Sequence, residues 1–264
     1  MSWRAYAAVF KRSWINMLEY RSETVIRILI ALISMISMFY LWDNVFAGRA
    51  ALAGYSKQQI VTYYLLVSYI FASLYAAIPV SEEIQEGRTA AYLLRPMNYL
   101  WFHYWQSMAR RVFRFIVGLP VLIILFWLLR DHLFFVTNPM AYAVLAVACL
   151  GAINILFLVD LLHNLFEFWY TNVDSWSIIV SSVVTFFAGT MIPLALLPPY
   201  IKTISDWLPF KYTGMFLIDG FMGRLTWPQI GMGLLWQTLW TLIFVLLVIF
   251  VWRRGVKRYE AYGN

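Results

Sequence analysis

Charge is what this chain has least of. Asp, Glu, Lys and Arg make up 12% of its 264 residues, against 62% hydrophobic, and the mean hydropathy is +0.71. Soluble chains average about 25% charged residues, so a soluble domain is excluded. Cysteine is nearly absent. The single Cys149 lies inside an apolar stretch, which removes both a disulfide framework and a thiolate metal site. Three histidines, His103, His132 and His163, are too few and too scattered for the several ligands a metal centre needs. No GxxxxGK[ST] occurs, so the chain cannot cradle nucleotide phosphates by itself, and no GxSxG marks a nucleophile. Repeats and low-complexity tracts are also missing.

What the chain has in abundance is long apolar runs. Six of them, 25–46, 60–80, 112–129, 140–159, 176–197 and 230–252, are separated by short polar connections. Most reach about 20 residues, the length at which a helix crosses a hydrocarbon core of roughly 30 Å. Four carry no charge; the first and third each embed one arginine, Arg27 and Arg114. The expectation is an all-α integral membrane protein with six transmembrane helices, built as a single domain over 1–264. The start is basic and amphipathic, without the apolar core of a cleavable leader, so insertion is expected to be driven by the first span. Residues 3–20 set Trp3, Tyr6, Phe10, Trp14 and Met17 at helical spacing, which predicts an interfacial helix within 1–24. An ordinary continuation of the first span is the alternative.

The net charge of +7 raises nucleic acid as a partner, but its distribution answers that. With the N-terminus inside, Lys and Arg near the cytoplasmic ends (the N-terminal helix, Arg88, Arg95, Arg110, Arg111 and the tail from Arg253) outnumber those outside by about two to one. That is a topology signal. It predicts both termini in the cytoplasm, membrane lipid as the solvent, and no nucleic acid.

Two polar constellations stand out. Asp160, His163, Asn164 and Glu167 recur at offsets of three, four and seven, on one face of the fourth span near its inner end. Ionisable groups at that depth face a bundle interior or a wet cavity. They read either as a proton relay or as counter-ions to Arg27 and Arg114. The second constellation is the cytoplasmic segment 81–111. There Glu82, Glu83, Glu86, Arg88 and Arg95 alternate with Ile84, Tyr92, Leu93 and Leu94, and Pro96 interrupts the helix. Ser81 ahead of two glutamates reads as a helix start. A short amphipathic helix on the ends of two spans suits docking into a partner's groove. Further on, 198–228 is too long for a turn and too apolar for a solvated loop, which predicts short helices dipping back into the outer leaflet, covered by protein.

The run Glu86-Gly87-Arg88-Thr89-Ala90-Ala91-Tyr92-Leu93-Leu94-Arg95-Pro96 resembles the E-G-x-x-x-x-x-L-L-x-P pattern found between the second and third spans of ATP-binding-cassette permeases of the type-two exporter superfamily. The Glu19-Tyr20-Arg21 element, the six runs, the outer hairpin before the last of them and the basic tail are similar too, and stand-alone permeases are the nearest kind. The resemblance implies a type V exporter-like fold with an N-terminal interfacial helix, a coupling helix over 82–95 and an outer re-entrant hairpin. It implies two permease subunits, identical or paralogous, above two separate ABC ATPase subunits. No cofactor would then be bound by this chain; ATP and Mg belong to the ATPase. The setting implied is the bacterial cytoplasmic (inner) membrane. An apolar, aromatic path is expected from Met35, Phe39, Tyr63, Tyr64, Phe186, Phe187 and Met191, suited to bulky amphipathic or cationic solutes. Two rivals stand beside the exporter subunit: a proton-driven secondary transporter using Asp160, His163 and Glu167, and an integral membrane lipid-modifying enzyme with His163 as base.

Overall fold

The computed structural model describes residues 3–19, 21–94, 97–170 and 174–262, with side chains described for 4–18, 30, 33–94, 97–170 and 176–258. Helices α1 Trp3–Glu19 and α2 Arg21–Val45 come first, followed by a hairpin of two-residue strands, β1 Ala51–Leu52 and β2 Tyr55–Ser56. Ala53 and Gly54, with φ of 47° and 78°, make its turn. Then come α3 Lys57–Leu74, the short α4 Val80–Gln85 and α5 Thr89–Leu93, and the long α6 Tyr99–Leu128 and α7 Pro139–Leu165. The chain finishes with α8 Asp174–Phe187, α9 Pro199–Trp207, α10 Met215–Phe221 and α11 Trp227–Tyr262.

Local chemistry explains where the main helices begin. At α3 a capping box closes: the Gln59 amide donates to Ser56 Oγ at 3.2 Å, and the Ser56 amide donates to Gln59 Oε1 at 3.0 Å. Asn98 and Asn138 cap α6 and α7 by accepting from the amides of Trp101 and Met140 at 3.1 and 3.0 Å. Pro139 occupies the first turn of α7, where its missing N–H costs nothing.

Three helices among the described residues are long and apolar enough to span a membrane: Tyr99–Leu128, Pro139–Phe168 and Trp227–Arg258. They are the third, fourth and sixth expected spans. The other expected spans differ in detail. The run 60–80 is helical only to Leu74, and its last residues form a non-helical link into α4. The run 176–197 stays α-helical only to Phe187. Gly189 follows at φ +79°, where a Cβ would meet the Tyr63 hydroxyl at 2.8 Å. The basic tail is not an extended segment; α11 carries it as helix to Tyr262.

The core lies in layers along these helices. Toward one end, β2, α3, α7 and α10 pack Tyr55, Tyr63, Leu156, Phe216, Leu217 and Ile218 together. Toward the other end, Ile78, Val80 and Ile84 pack on Leu161, Leu165, Phe168 and Val248. Large apolar residues elsewhere on α6, α7 and α11, such as Ile123, Leu150 and Leu246, point outward, as expected of helices facing lipid. Helix α1 lies against α6, with Trp14 edge-on to Phe113 at 5.3 Å.

Two glycines let α11 approach its neighbours closely. A Cβ on Gly233 would fall 2.1 Å from the Phe216 ring, and one on Gly255 would fall 2.2 Å from the Phe168 ring. Gly255→Val is therefore expected to overpack the layer around Phe168 by about 1–3 kcal/mol. Melting of the detergent-solubilised protein should drop for Gly255→Val and recover in part in the Gly255→Val/Phe168→Ala double variant. Two equal, independent losses would show that this contact is not what limits the packing.

Candidate functional site

The most organised polar structure in the molecule surrounds the break between α3 and α4. A helix that stops leaves its last carbonyls without partners, and those at a membrane-facing depth find no water to replace them. Here two guanidinium groups from α6 supply the donors. Arg111 Nε donates to the Leu74 carbonyl at 2.5 Å, and Arg114 Nη1 donates to the Tyr75 carbonyl at 2.5 Å. Arg111 is itself held by Ser107 Oγ one helical turn away and lies over the Phe157 ring.

The amides on the far side of the break are met from α7. The Ile78 amide donates to Asp160 Oδ2 at 3.0 Å, and the Ser81 amide donates to Asn164 Oδ1 at 3.1 Å. Asn164 Nδ2 donates in turn to the Asp160 carbonyl at 2.7 Å, which fixes its orientation. Gln85 Nε2 donates to Glu167 Oε1 at 2.6 Å. Positions 160, 164 and 167 on one helix thus meet positions 78, 81 and 85 in the same order, like a rail beneath the segment.

On its other side the segment is anchored to the start of α6. Glu83 is buried, accepts from the Tyr99 hydroxyl at 2.9 Å and lies 3.1 Å from His103 Nε2. Burial pushes the Glu83 carboxyl up, but its contacts with His103, Tyr99 and Arg88 outweigh that and hold it below the ordinary range. The Tyr99 ring stacks on Trp252 of α11 at 4.7 Å, so the anchor reaches a third helix.

The sequence expectations map onto this site unevenly. The segment is not one helix starting at Ser81. Its first helix begins one residue earlier, at Val80 after Pro79, and the first-turn amide of Ser81 finds its acceptor in Asn164. A turn at 86–88 with Gly87 at φ +73° separates α4 from α5. Glu82, Glu86, Arg88, Leu93 and Leu94 are exposed, with Leu94 at 89%, and Glu86 pairs with Arg88 at 2.5 Å. Tyr92 packs back on Tyr99 and Phe102. Arg95, Pro96 and Tyr20 lie outside the described residues, as do the side chains of Glu19, Arg21 and Arg27.

The four-residue stripe on the fourth span also divides. Asp160, Asn164 and Glu167 face the segment, whereas His163 lines an apolar cavity between α7, α8 and α11. The guanidinium groups acting on Asp160 belong to Arg111 and Arg110, which the sequence reading took only for topology charges. His103 is fully buried in the first turns of α6. Met35, Tyr63 and Tyr64 are buried in the core. The Tyr63 and Tyr64 hydroxyls donate to the carbonyls of Gly189 and Met191 at 2.8 and 2.6 Å, closing the unwound end of α8. Phe39 packs on His132, Phe186 packs on Phe187, and Met191 is exposed.

The opposite end of the molecule has its own polar lock, which no periodic pattern announced. The Tyr55 hydroxyl donates to Asp219 Oδ1 at 2.7 Å, and Arg224 reaches the same oxygen at 3.3 Å while lying 3.5 Å over the Tyr55 ring. Burial raises the pKa of both Tyr55 and Asp219. Deeper in, Gln237 Nε2 donates to the carbonyls of Ala148 and Tyr212, so the 198–228 segment folds back as far as the middle of α7.

A family model described as "ABC-2 family transporter protein" matches residues 29–263. No curated protein and no solved structure matches the chain.

Two measurements test the site. Asp160→Ala leaves the Ile78 amide without its acceptor beside two cations, a cost of about 3–5 kcal/mol, while Asp160→Asn keeps an acceptor and costs less. Detergent melting should rank wild type above Asp160→Asn above Asp160→Ala; equal melting for the last two would count against the bond to Ile78. Glu83 gives a pH signature. A carboxyl held below its ordinary value stabilises the fold at neutral pH, and that contribution disappears only as pH falls through the lowered value. Wild type should therefore lose melting temperature more steeply than Glu83→Gln as pH drops below the ordinary glutamate range. Parallel curves would remove the anchoring role.

Proposed function

The chain belongs to the ABC-2 family of transporter proteins, a permease of the ATP-binding-cassette kind, and on that footing we propose that it is the membrane subunit of an ATP-driven exporter. Such permeases are multi-pass membrane components that generally work with ABC ATPases and do not themselves catalyse the reaction. The finer reading is that the 80–94 segment is the lever on which separate ATPase subunits push. Two copies of this chain, or this chain and a paralogue, then pair above two ATPases in the bacterial cytoplasmic membrane, with both termini inside.

One observation carries this reading. The segment presents Glu82, Glu86, Arg88, Leu93 and Leu94 on its free side, while its other side is bonded to both α6 and α7. A docking element that transmits force needs an exposed face of that kind and a rigid mounting. A push on Leu94 and Glu86 is passed through backbone amides at 78 and 81 to the body of α7, and through Glu83 to α6. Opening and closing follow from the difference in contact between the ATP-bound and ATP-free partner. A proton relay through Asp160, His163 and Glu167 has less support, since Asp160 and Glu167 accept from the lever and His163 faces another space.

Leu94→Asp and Glu86→Arg are each expected to leave insertion and melting unchanged and to reduce co-purification with a neighbouring-gene P-loop ATPase at least fivefold. An ATPase that stays bound to both variants, or that never binds the wild-type chain, would end the lever assignment.

A further inference from the structure

The cavity that receives His163 is not used by the lever. It holds about 490 Å³ and runs beside α7 from Val159 to Tyr170, with Trp176 and Val180 of α8 and Phe244 of α11 completing its walls. Phe210, from the segment that folds back from the outer side, also lines it. Volumes of 300–1,000 Å³, roughly, are those of small-molecule sites. Among the described residues, no Asp, Glu, Lys or Arg lines this one.

We propose that this cavity is the cargo site of the transporter, and that it takes an amphiphile with an alkyl or aryl body and a neutral or acidic head, entering sideways from the inner leaflet. The proposal rests on the transport reading above and names its substrate class. Three observations carry it. Water gains little in such a space, because the walls offer few hydrogen-bond partners, whereas hydrocarbon fills it and recovers the dispersion contacts a void forfeits. Tyr170 and Trp176 line the cavity yet remain largely exposed, which leaves an opening at the inner end of α7. Aromatic residues of this kind sit at headgroup depth, so the opening meets the leaflet rather than bulk water. Third, the polar groups on the lining residues are an imidazole, a phenol and an indole, none carrying a fixed negative charge. They suit a head rich in acceptors, and among the described lining residues none offers a permanent cation a counter-ion.

The cavity's position beside the rail gives binding a route to the lever. His163 is one residue from Asn164 and three from Asp160 on the same helix, so filling the space on one side of α7 bears on the bonds its other side makes.

Photo-crosslinking tests occupancy without needing the ATPase. In phosphatidylcholine nanodiscs, diazirine-bearing palmitic acid should label the cavity residues of α7 and α8 at least fivefold above the exposed Leu235–Leu246 face of α11. Unlabelled palmitic acid should compete. Val180→Trp fills the space and should cut that labelling at least fivefold with melting unchanged; Leu162→Trp serves if the first variant folds poorly. Labelling spread evenly over both faces would overturn the site. Strong labelling by diazirine-bearing phosphatidylcholine that palmitic acid cannot displace would assign the cavity to a fixed bilayer lipid and overturn the cargo role. In complex with the ATPase, palmitic acid should raise ATP hydrolysis at least twofold in wild type and not in Val180→Trp. Occupancy without stimulation overturns the cargo role while leaving the permease reading intact. Stronger stimulation by hexadecyltrimethylammonium overturns the assignment of the head.

Discussion

Hydrogen bonds to a helix that is broken on purpose hold the rest of this structure in place. A backbone that leaves the α conformation where lipid replaces water loses several kcal/mol for each group it fails to satisfy. The chain meets that demand with charged side chains. Guanidinium groups from α6 take the carbonyls at the end of α3, and a carboxylate and an amide from α7 take the amides that open α4. Because acceptors and donors are both ionised or strongly polar, these are the stronger kind of hydrogen bond. The same groups would be expensive to bury singly, so the break and its supporting charges require each other.

That arrangement makes the 80–94 segment part of the helical body rather than a loop hung from it. Its apolar face joins the core layer around Phe168, its acid Glu83 is tied to α6, and its amides are tied to α7. What remains free is a short amphipathic surface. The opposite end repeats the principle with different residues: a tyrosine, an aspartate and an arginine fasten the β-hairpin to α10, and Gln237 holds the folded-back segment against α7. Polar locks at both ends and glycine-mediated close packing along α11 contrast with the open cavity beside α8.

Much of the architecture was legible in the residues. Apolar runs gave the three long spanning helices, the aromatic spacing gave α1, and the E-G-x-x-x-x-x-L-L-x-P run gave the family. The helix breaks inside the runs 60–80 and 176–197 were not legible. Hydropathy sees side chains, and both breaks fall where side chains stay apolar while the backbone is satisfied by groups from elsewhere, such as Arg111 at one and Tyr63 and Tyr64 at the other. Nor was the burial of Met35, Tyr63 and Tyr64 legible, because an apolar or aromatic side chain looks the same in sequence whether it lines a path or fills a core.

By itself the sequence determined the medium, the number of long apolar runs and the sign asymmetry of their ends. Those follow from transfer free energies that each residue carries with it wherever it lies. Only the tertiary structure decided which charges meet. Asp160 and His163 are three residues apart and share a helix, yet one faces the lever and the other an apolar cavity; Glu83 and His103 are twenty positions apart and touch. Such pairings depend on how helices rotate against one another, and that rotation is set by the sum of many packing contacts that no local pattern encodes.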